Sequence, residues 1–125
     1  MTIEVASTST NRQWVLAERP VDRAVRETDF RLVVTPLPRP GRGEFLVRTL
    51  YLSVAPVMRQ YMIDGAGIEP PLAIGDVMRG RGVGQVIASD HPDYAPGDFV
   101  QGKLGWQEYS VSDGSPYYMM YKIRQ

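Results

Sequence analysis

At 125 residues the chain has the length of one domain with a real core and is too short for two ordinary ones. Its 14 basic and 14 acidic residues balance, which removes the electrostatic footprint of a nucleic-acid binder or of a protein drawn to anionic membrane. With no cysteine and one histidine, His91, the sequence excludes disulfide scaffolds, thiolate zinc sites, cysteine nucleophiles and paired-histidine chemistry, so no metal site is expected.

The hydrophobic fraction of 43% is enough to fold a globular core. No stretch approaches the roughly 18 apolar residues of a membrane span. The opening "MTIEVASTST" has neither the basic nor the apolar region of a signal peptide. The default reading is a soluble cytoplasmic protein, with no membrane and no nucleic-acid partner.

In chain order, residues 1–11 are small and polar and read as a flexible leader, with the domain proper over 12–125. "RQWVLAE" (12–18) is a strand, and residues 19–29 are charged, aperiodic and read as a loop. "FRLVVTPLP" (30–38) starts as a strand and is broken by Pro36, Pro38 and Pro40; "RPGRGE" (39–44) is a turn. "EFLVRTLYLSV" (44–54) carries the strongest strand signal, with Leu46, Leu50, Leu52 and Val54 on one face and Phe45, Val47 and Tyr51 on the other. A strand apolar on both faces is expected to be buried on both.

"APVMRQYMID" (55–64) changes period: Met58, Tyr61 and Met62 fall at helical spacing and Pro56 suits a first helical position, predicting one or two helical turns ending near Gly65. "GAGIEPPLAIGD" (65–76) is a loop, and "RGRGVGQVIAS" returns to strand. Further strands follow the turn in "DHPDYAPGDFVQG" and lie in "WQEYSVS" (106–112) and "YYMMYKI" (117–123). Six or seven short strands with turns between them point to a small, mainly β barrel or sandwich. His91, in "DHPDY", reads as a solvated loop residue.

"MRGRGVGQVIAS" (78–89) has the look of a phosphate loop, with Gly80, Gly82 and Gly84 at alternate positions. A dinucleotide fingerprint requires G-x-G-x-x-G at the opening of a helix, because the helix N-terminus binds the pyrophosphate. Here the spacing is one residue short and the following "QVIAS" favours strand. Alternate glycines on a strand instead clear one face for curvature or close backbone approach.

Taken together, "NRQWVLAERP", "PGRGEFLVRTLYLSVAPVMR", "GDVMRGRGVGQVIAS" and "YAPGDFVQGKLGWQEYSV" resemble the N-terminal domain of zinc-independent medium-chain reductases, on the branch of the NADP-dependent alkenal, leukotriene and prostaglandin reductases. The resemblance runs from about residue 11 to about residue 113. It implies a GroES-like, partly open β-barrel with one or two short helical turns, forming one wall of a cleft whose other wall is a Rossmann domain. NADP(H) lies between the two in the full-length family and reduces the C=C bond of α,β-unsaturated carbonyls. On this resemblance the chain ends before the Rossmann domain begins, so no cofactor is expected on the chain alone. One motif departs from the family: "SVAPVMR" stands where "SLDPYMR" is usual, placing Val57 at the position of a pocket tyrosine and Ala55 at that of an acid.

By matching position, the resemblance places Val57, Met58, Arg59, Met78, Arg79 and Gly80 at the cleft, with Trp106 and Gln107 nearby, as substrate-binding candidates. Each has a plainer reading: Met58 and Met62 as core, Trp106 as the plug of a barrel end, Arg59 as a solvated helix residue. No nucleophile–base pair stands out, so no catalytic residue is named; the phenols of Tyr61, Tyr109, Tyr117, Tyr118 and Tyr121 have no place assigned by the sequence. The tail "SPYYMMYKIRQ" (115–125), read as a strand over 117–123, would leave an apolar edge that favours a homodimer. The leading reading is the substrate-side domain of an NADP-dependent enone reductase, not redox-active alone, that takes a small hydrophobic carbonyl compound. The alternatives are a homodimeric barrel repurposed for small-molecule binding or a cofactor-free cyclisation or isomerisation, and an interaction module in which only the edge matters.

Overall fold

A computed structural model describes residues 10–56, 58–63 and 71–123. Seven strands and one short helix make up the described fold: β1 (Thr10–Leu16), β2 (Phe30–Pro36), β3 (Phe45–Leu52), α1 (Met58–Tyr61), β4 (Arg81–Ser89), β5 (Phe99–Lys103), β6 (Tyr109–Ser112) and β7 (Tyr121–Lys122). Single 3-10 turns lie at Glu27–Asp29 and Pro116–Tyr118. The chain is mainly β, as the sequence indicates, and its sheets do not close. Among the described residues no helix is long and apolar enough to cross a membrane.

β1 and β2 pair antiparallel as a separate ribbon, while the other strands form a five-stranded antiparallel sheet in the order β6-β3-β4-β5-β7. The junction between ribbon and sheet is built by polar groups. Isolated bridges join Gln13 to Gln107 and Val15 to Val77. Asn11, 1% exposed, acts as a strand in miniature. Its Nδ2 donates to the Tyr109 carbonyl at 3.1 Å and its Oδ1 accepts from the Tyr109 N–H at 2.9 Å. β1 thus begins at Thr10, two residues before the strand read from the sequence, because Asn11 is needed at this junction.

β3 departs from its expected burial. Phe45, Leu46 and Val47 are buried, but Leu50, Tyr51 and Leu52 are exposed, as is Val54 beyond the strand. The cause is pairing length: β6 covers β3 only over Phe45–Arg48, and register shifts at Leu46/Val47 and Thr49/Tyr51 turn the remainder out of the core. The tail also differs from expectation. In place of a strand over 117–123 it makes a 3-10 turn, passes through Met119 in the left-handed region (φ 50°), and pairs with β5 only through Tyr121 and Lys122. Pro116 opens the turn, and the left-handed residue ends it by reversing the chain toward β5.

The alternate glycines of β4 serve close packing. A Cβ on Gly84 would lie 2.5 Å from Val47 Cγ1 and 2.6 Å from the Arg48 carbonyl oxygen, and one on Gly82 would strike the Tyr51 carbonyl. β3 and β4 approach each other at a distance that only glycine permits. His91 is half-buried rather than solvated: its ring meets Phe45 and Tyr94 edge-on at 5.7 and 5.0 Å, and its Nδ1 accepts from the Asp93 N–H.

Two apolar clusters fill the interior. The first, Phe45, Val47, Val86, Val100, Leu104 and Met120, packs on the five-stranded sheet, with Tyr94 stacked on Phe45 at 4.1 Å. The second gathers Leu16, Met58, Met62, Leu72 and Met78 beneath α1, with Phe30, Tyr61 and Trp106 packed against it.

Candidate functional site

Above the second cluster opens a cleft of about 540 Å³. One wall is Val77–Gly80, the segment leading into β4. It is held from both sides by main-chain bonds: Met78 N–H donates to Trp14 C=O at 2.9 Å, and Met78 C=O accepts from Trp106 N–H at 2.8 Å. Hydrogen-bonded directly beside it runs the turn after β5. Leu104 and Gly105 both donate to Gly80 C=O, and Gly105 takes φ 76°, a conformation that glycine adopts without strain. Met58, Tyr61 and Ala55 close one end, and Tyr117 and Tyr118 of the tail close the other.

Gly80 fits tightly because a Cβ there would lie 2.8 Å from Trp106 Nε1 and 3.3 Å from Met58 Cε. Any side chain at this position would push into the floor of the cleft. The Trp106 indole N–H is buried with no hydrogen-bond partner among the described residues, and its ring stacks on Phe30 at 5.3 Å.

The cleft is polar at its rim and apolar below. Arg79 rests over the Tyr61 ring at 5.5 Å and Lys103 over the Tyr117 ring at 4.5 Å. Arg81 reaches Met119 Sδ at 2.7 Å. Burial, reinforced by the charge of Asp113, raises the pKa of the Tyr118 phenol, a neutral group that can donate a hydrogen bond.

Of the residues singled out in the sequence, Met58, Met78, Arg79, Gly80 and Gln107 line this cleft. Gln107 is committed to structure: its Oε1 accepts from Asn11 and Gln13 and its Nε2 donates to Leu104 C=O. Trp106 lies on the far side, lining a shallower groove with Trp14 and Leu32. Arg59 turns away and donates to the carbonyls of Pro20 and Arg23, both at 2.9 Å. Val57 lies outside the described residues. Sequence reasoning did not single out Lys103 or Ser110 and left Tyr61, Tyr117 and Tyr118 without a place; all five line the cleft. For Lys103 and Ser110 the signal is in the pairing register, which sets Lys103 opposite Arg81 and Ser110 opposite Val47, and a single sequence does not show it.

The described residues do not form a dinucleotide-phosphate site. The glycine run enters a strand, its glycines are packed against Trp106, the Tyr51 carbonyl, Val47 and the Arg48 carbonyl, and the one α-helix described, α1, is a single turn.

Comparison with known proteins gives this geometry a context. The family described as the N-terminal domain of oxidoreductase matches residues 12–120. The NADPH-dependent curcumin reductase of Escherichia coli (strain K12) is 49% identical over 104 residues, which are 83% of this chain and 30% of that protein. The NADP(+)-dependent 2-alkenal reductase of Nicotiana tabacum is 39% identical over 85 residues, 66% of this chain and 24% of that protein. The crystal structure of CurA from Vibrio vulnificus superposes with a TM-score of 0.82 at 41% identity, covering 90% of this chain and 32% of that one. Its complex with NADPH gives a TM-score of 0.80 at 40% identity, covering 89% and 32%. The chain thus spans about a third or less of the relatives it matches. It belongs to the family of oxidoreductase N-terminal domains, in the medium-chain reductase group whose relatives include NADP-dependent curcumin and alkenal reductases.

Proposed function

We propose that this chain forms the substrate-side wall of an NADP-dependent oxidoreductase that reduces the C=C bond of α,β-unsaturated carbonyls, and that it does not carry out redox chemistry alone. The observation that carries this reading is the cleft itself, an apolar floor of Met58 and Met78 under a rim of hydrogen-bond donors, in a chain related to NADPH-dependent reductases. A conjugated carbonyl compound needs such a combination. Its flat apolar body packs on the soft methionine side chains, and its oxygen requires a donor such as the guanidinium of Arg79 or the neutral phenol of Tyr118. The chain's contribution is to bind and orient the substrate, exclude water and hold a donor at the carbonyl oxygen. When bound, the nicotinamide supplies the hydride; its phosphates have no site among the described residues. A soluble, cytoplasmic setting belongs to the same reading.

The test is a chimera in which this chain replaces the matching segment of the E. coli curcumin reductase. Oxidation of NADPH in the presence of an enone is the expected result. A folded chimera that binds NADPH but leaves enones unreduced would overturn the reading. Calorimetric titration of NADPH into the chain alone is expected to give no heat.

One observation favours a second reading, a homodimeric barrel that binds a small molecule unaided. β7 lies at the edge of the five-stranded sheet and leaves Tyr121 exposed there. A dimer mass in sedimentation, with melting shifts in enone and none in NADPH, supports this reading; a concentration-independent monomer removes the dimer.

A further inference from the structure

Two neighbouring methionines in the tail have opposite surroundings. Met120 is 8% exposed and packs in the sheet cluster, and Gly102 makes room for it: a Cβ there would lie 2.9 Å from Met120 Sδ. Met119 is partly exposed and reaches β4, where its Sδ accepts from the Arg81 guanidinium. Met58, Met62 and Met78 are buried, so Met119 is the one methionine among the described residues that is not.

The Met119 backbone is also uncommon. It holds φ 50° and ψ 42°, the left-handed region that residues other than glycine seldom occupy. Its N–H closes the 3-10 turn on Pro116 C=O, and the chain then reverses onto β5. Beyond the turn the tail is lightly held: β7 pairs through Tyr121 and Lys122, the Ile123 N–H donates to Phe99 C=O at 2.8 Å, and Lys122 lies 3.5 Å from Asp98. Tyr117 and Tyr118, just before Met119, close one end of the cleft, and Arg81 lines it. The thioether–guanidinium contact therefore ties the tail to the first residue of β4 beside the cleft. A thioether is a weak hydrogen-bond acceptor, and oxidation to the sulfoxide makes it polar.

We propose that Met119 is a site of modification by peroxide, and that its sulfoxide fastens the tail to β4 at the end of the cleft. The sulfur lone pair attacks one oxygen of hydrogen peroxide. An S–O bond forms, the O–O bond breaks, and the departing oxygen leaves as water with the proton of the transferred one. Sulfur is oxidised by two electrons and the peroxide is reduced by two. The new oxygen carries partial negative charge and accepts from the Arg81 guanidinium in a charge-assisted hydrogen bond. Methionine sulfoxide reductases restore the thioether. Oxidation within a core disrupts packing, but Met119 belongs to neither apolar cluster, so the interior keeps its contacts. The inference is independent of which compound the cleft receives.

The test exposes the full folded chain to hydrogen peroxide over a time course and follows each methionine by fragment-ion mass spectrometry after digestion. Oxygen is expected at Met119 at least about tenfold faster than at Met58, Met62, Met78 or Met120, the neighbouring Met120 serving as internal control. Hydrogen exchange at the Ile123 amide, followed by NMR, then reads the tie. Exchange should slow severalfold in the chain oxidised at Met119 and return to its first rate after treatment with sulfoxide reductases of both epimer specificities. Peroxide should leave it unaltered in Met119→Leu and in Arg81→Gln. The guanidinium signals of Arg81 in wild type should shift on oxidation, which gives the same answer without a variant. Oxidation of Met120 or of the other buried methionines as fast as Met119 overturns the site. Ile123 exchange that is unchanged or faster after oxidation, exchange that slows equally in Arg81→Gln, or unshifted Arg81 signals overturn the tie.

Discussion

The two apolar clusters do different work with different side chains. The sheet cluster is built from Phe45, Val47, Val86 and Val100 at alternate strand positions, locked by the close β3–β4 approach and by Tyr94 stacked on Phe45. The cluster beneath the cleft uses three methionines and two leucines supplied by β1, α1 and connecting segments. Branched and aromatic side chains in strands have few rotamers and define one packing, whereas methionine fills irregular space and adjusts. The fold therefore keeps its rigid core on the sheet and places its adaptable core under the cleft.

The largest break in this comparison comes from Phe45→Ala. It removes the fully buried centre of the sheet cluster and should cost about 3–5 kcal/mol in urea denaturation. Gly84→Ala should cost about 1–3 kcal/mol, because the new methyl meets Val47 and the Arg48 carbonyl, and strand backbone does not yield as a side-chain end does. Asn11→Ala should also cost about 1–3 kcal/mol, since it strands the Tyr109 N–H and C=O at the ribbon–sheet junction. Met62→Leu, by contrast, should cost less than about 1.5 kcal/mol, as a volume-conserving change in the adaptable cluster. A loss for Met62→Leu equal to that for Phe45→Ala would erase the distinction.

The last effect is read by acidification, because the contribution of Asp29 is present at neutral pH and lost in acid. Asp29 is fully buried beside Arg23, whose guanidinium hydrogen-bonds both carboxylate oxygens, and the Arg26 N–H donates to Oδ2 at 2.8 Å. The Arg23 hydrogen bonds, with that of Arg26 and the charges of both arginines, hold the Asp29 carboxyl below its ordinary value. As pH falls, the unfolded chain takes up this proton first. The contribution is thus complete above about pH 4 and is lost as pH falls through the depressed native value. Thermal melts from pH 6 to pH 2 should show a steeper acid decline for wild type than for Asp29→Asn.

Much of the sheet was legible in the sequence because its cause is local. The continuous runs of apolar strand-formers in "EFLV" and "VIAS", the glycines of β4, and Met58, Tyr61 and Met62 at helical spacing each impose their element directly. What was not legible depends on partners. The exposure of Leu50, Tyr51 and Leu52 follows from the short reach of β6, and the broken tail from Met119 turning left-handed to meet β5. The site divides in the same way. The Met78–Gly80 wall was found through a family motif, whereas Lys103 and Ser110 enter through register across strands. Trp106 and Arg59 are near the cleft in sequence pattern but are drawn elsewhere by Phe30 and by the Pro20 and Arg23 carbonyls.

The central claim is that the methionine-floored cleft, and not the sheet core or the groove beside Trp14, receives the conjugated carbonyl compound. Methionine-methyl NMR reads this directly, because Met58 and Met78 line the cleft while Met120 belongs to the sheet cluster. On titration with an enone, the Met58 and Met78 methyl signals should move along a saturable curve while Met120 stays fixed. Saturable movement of Met120 with Met58 and Met78 unchanged, or no movement at any methionine at saturating enone, would contradict the account.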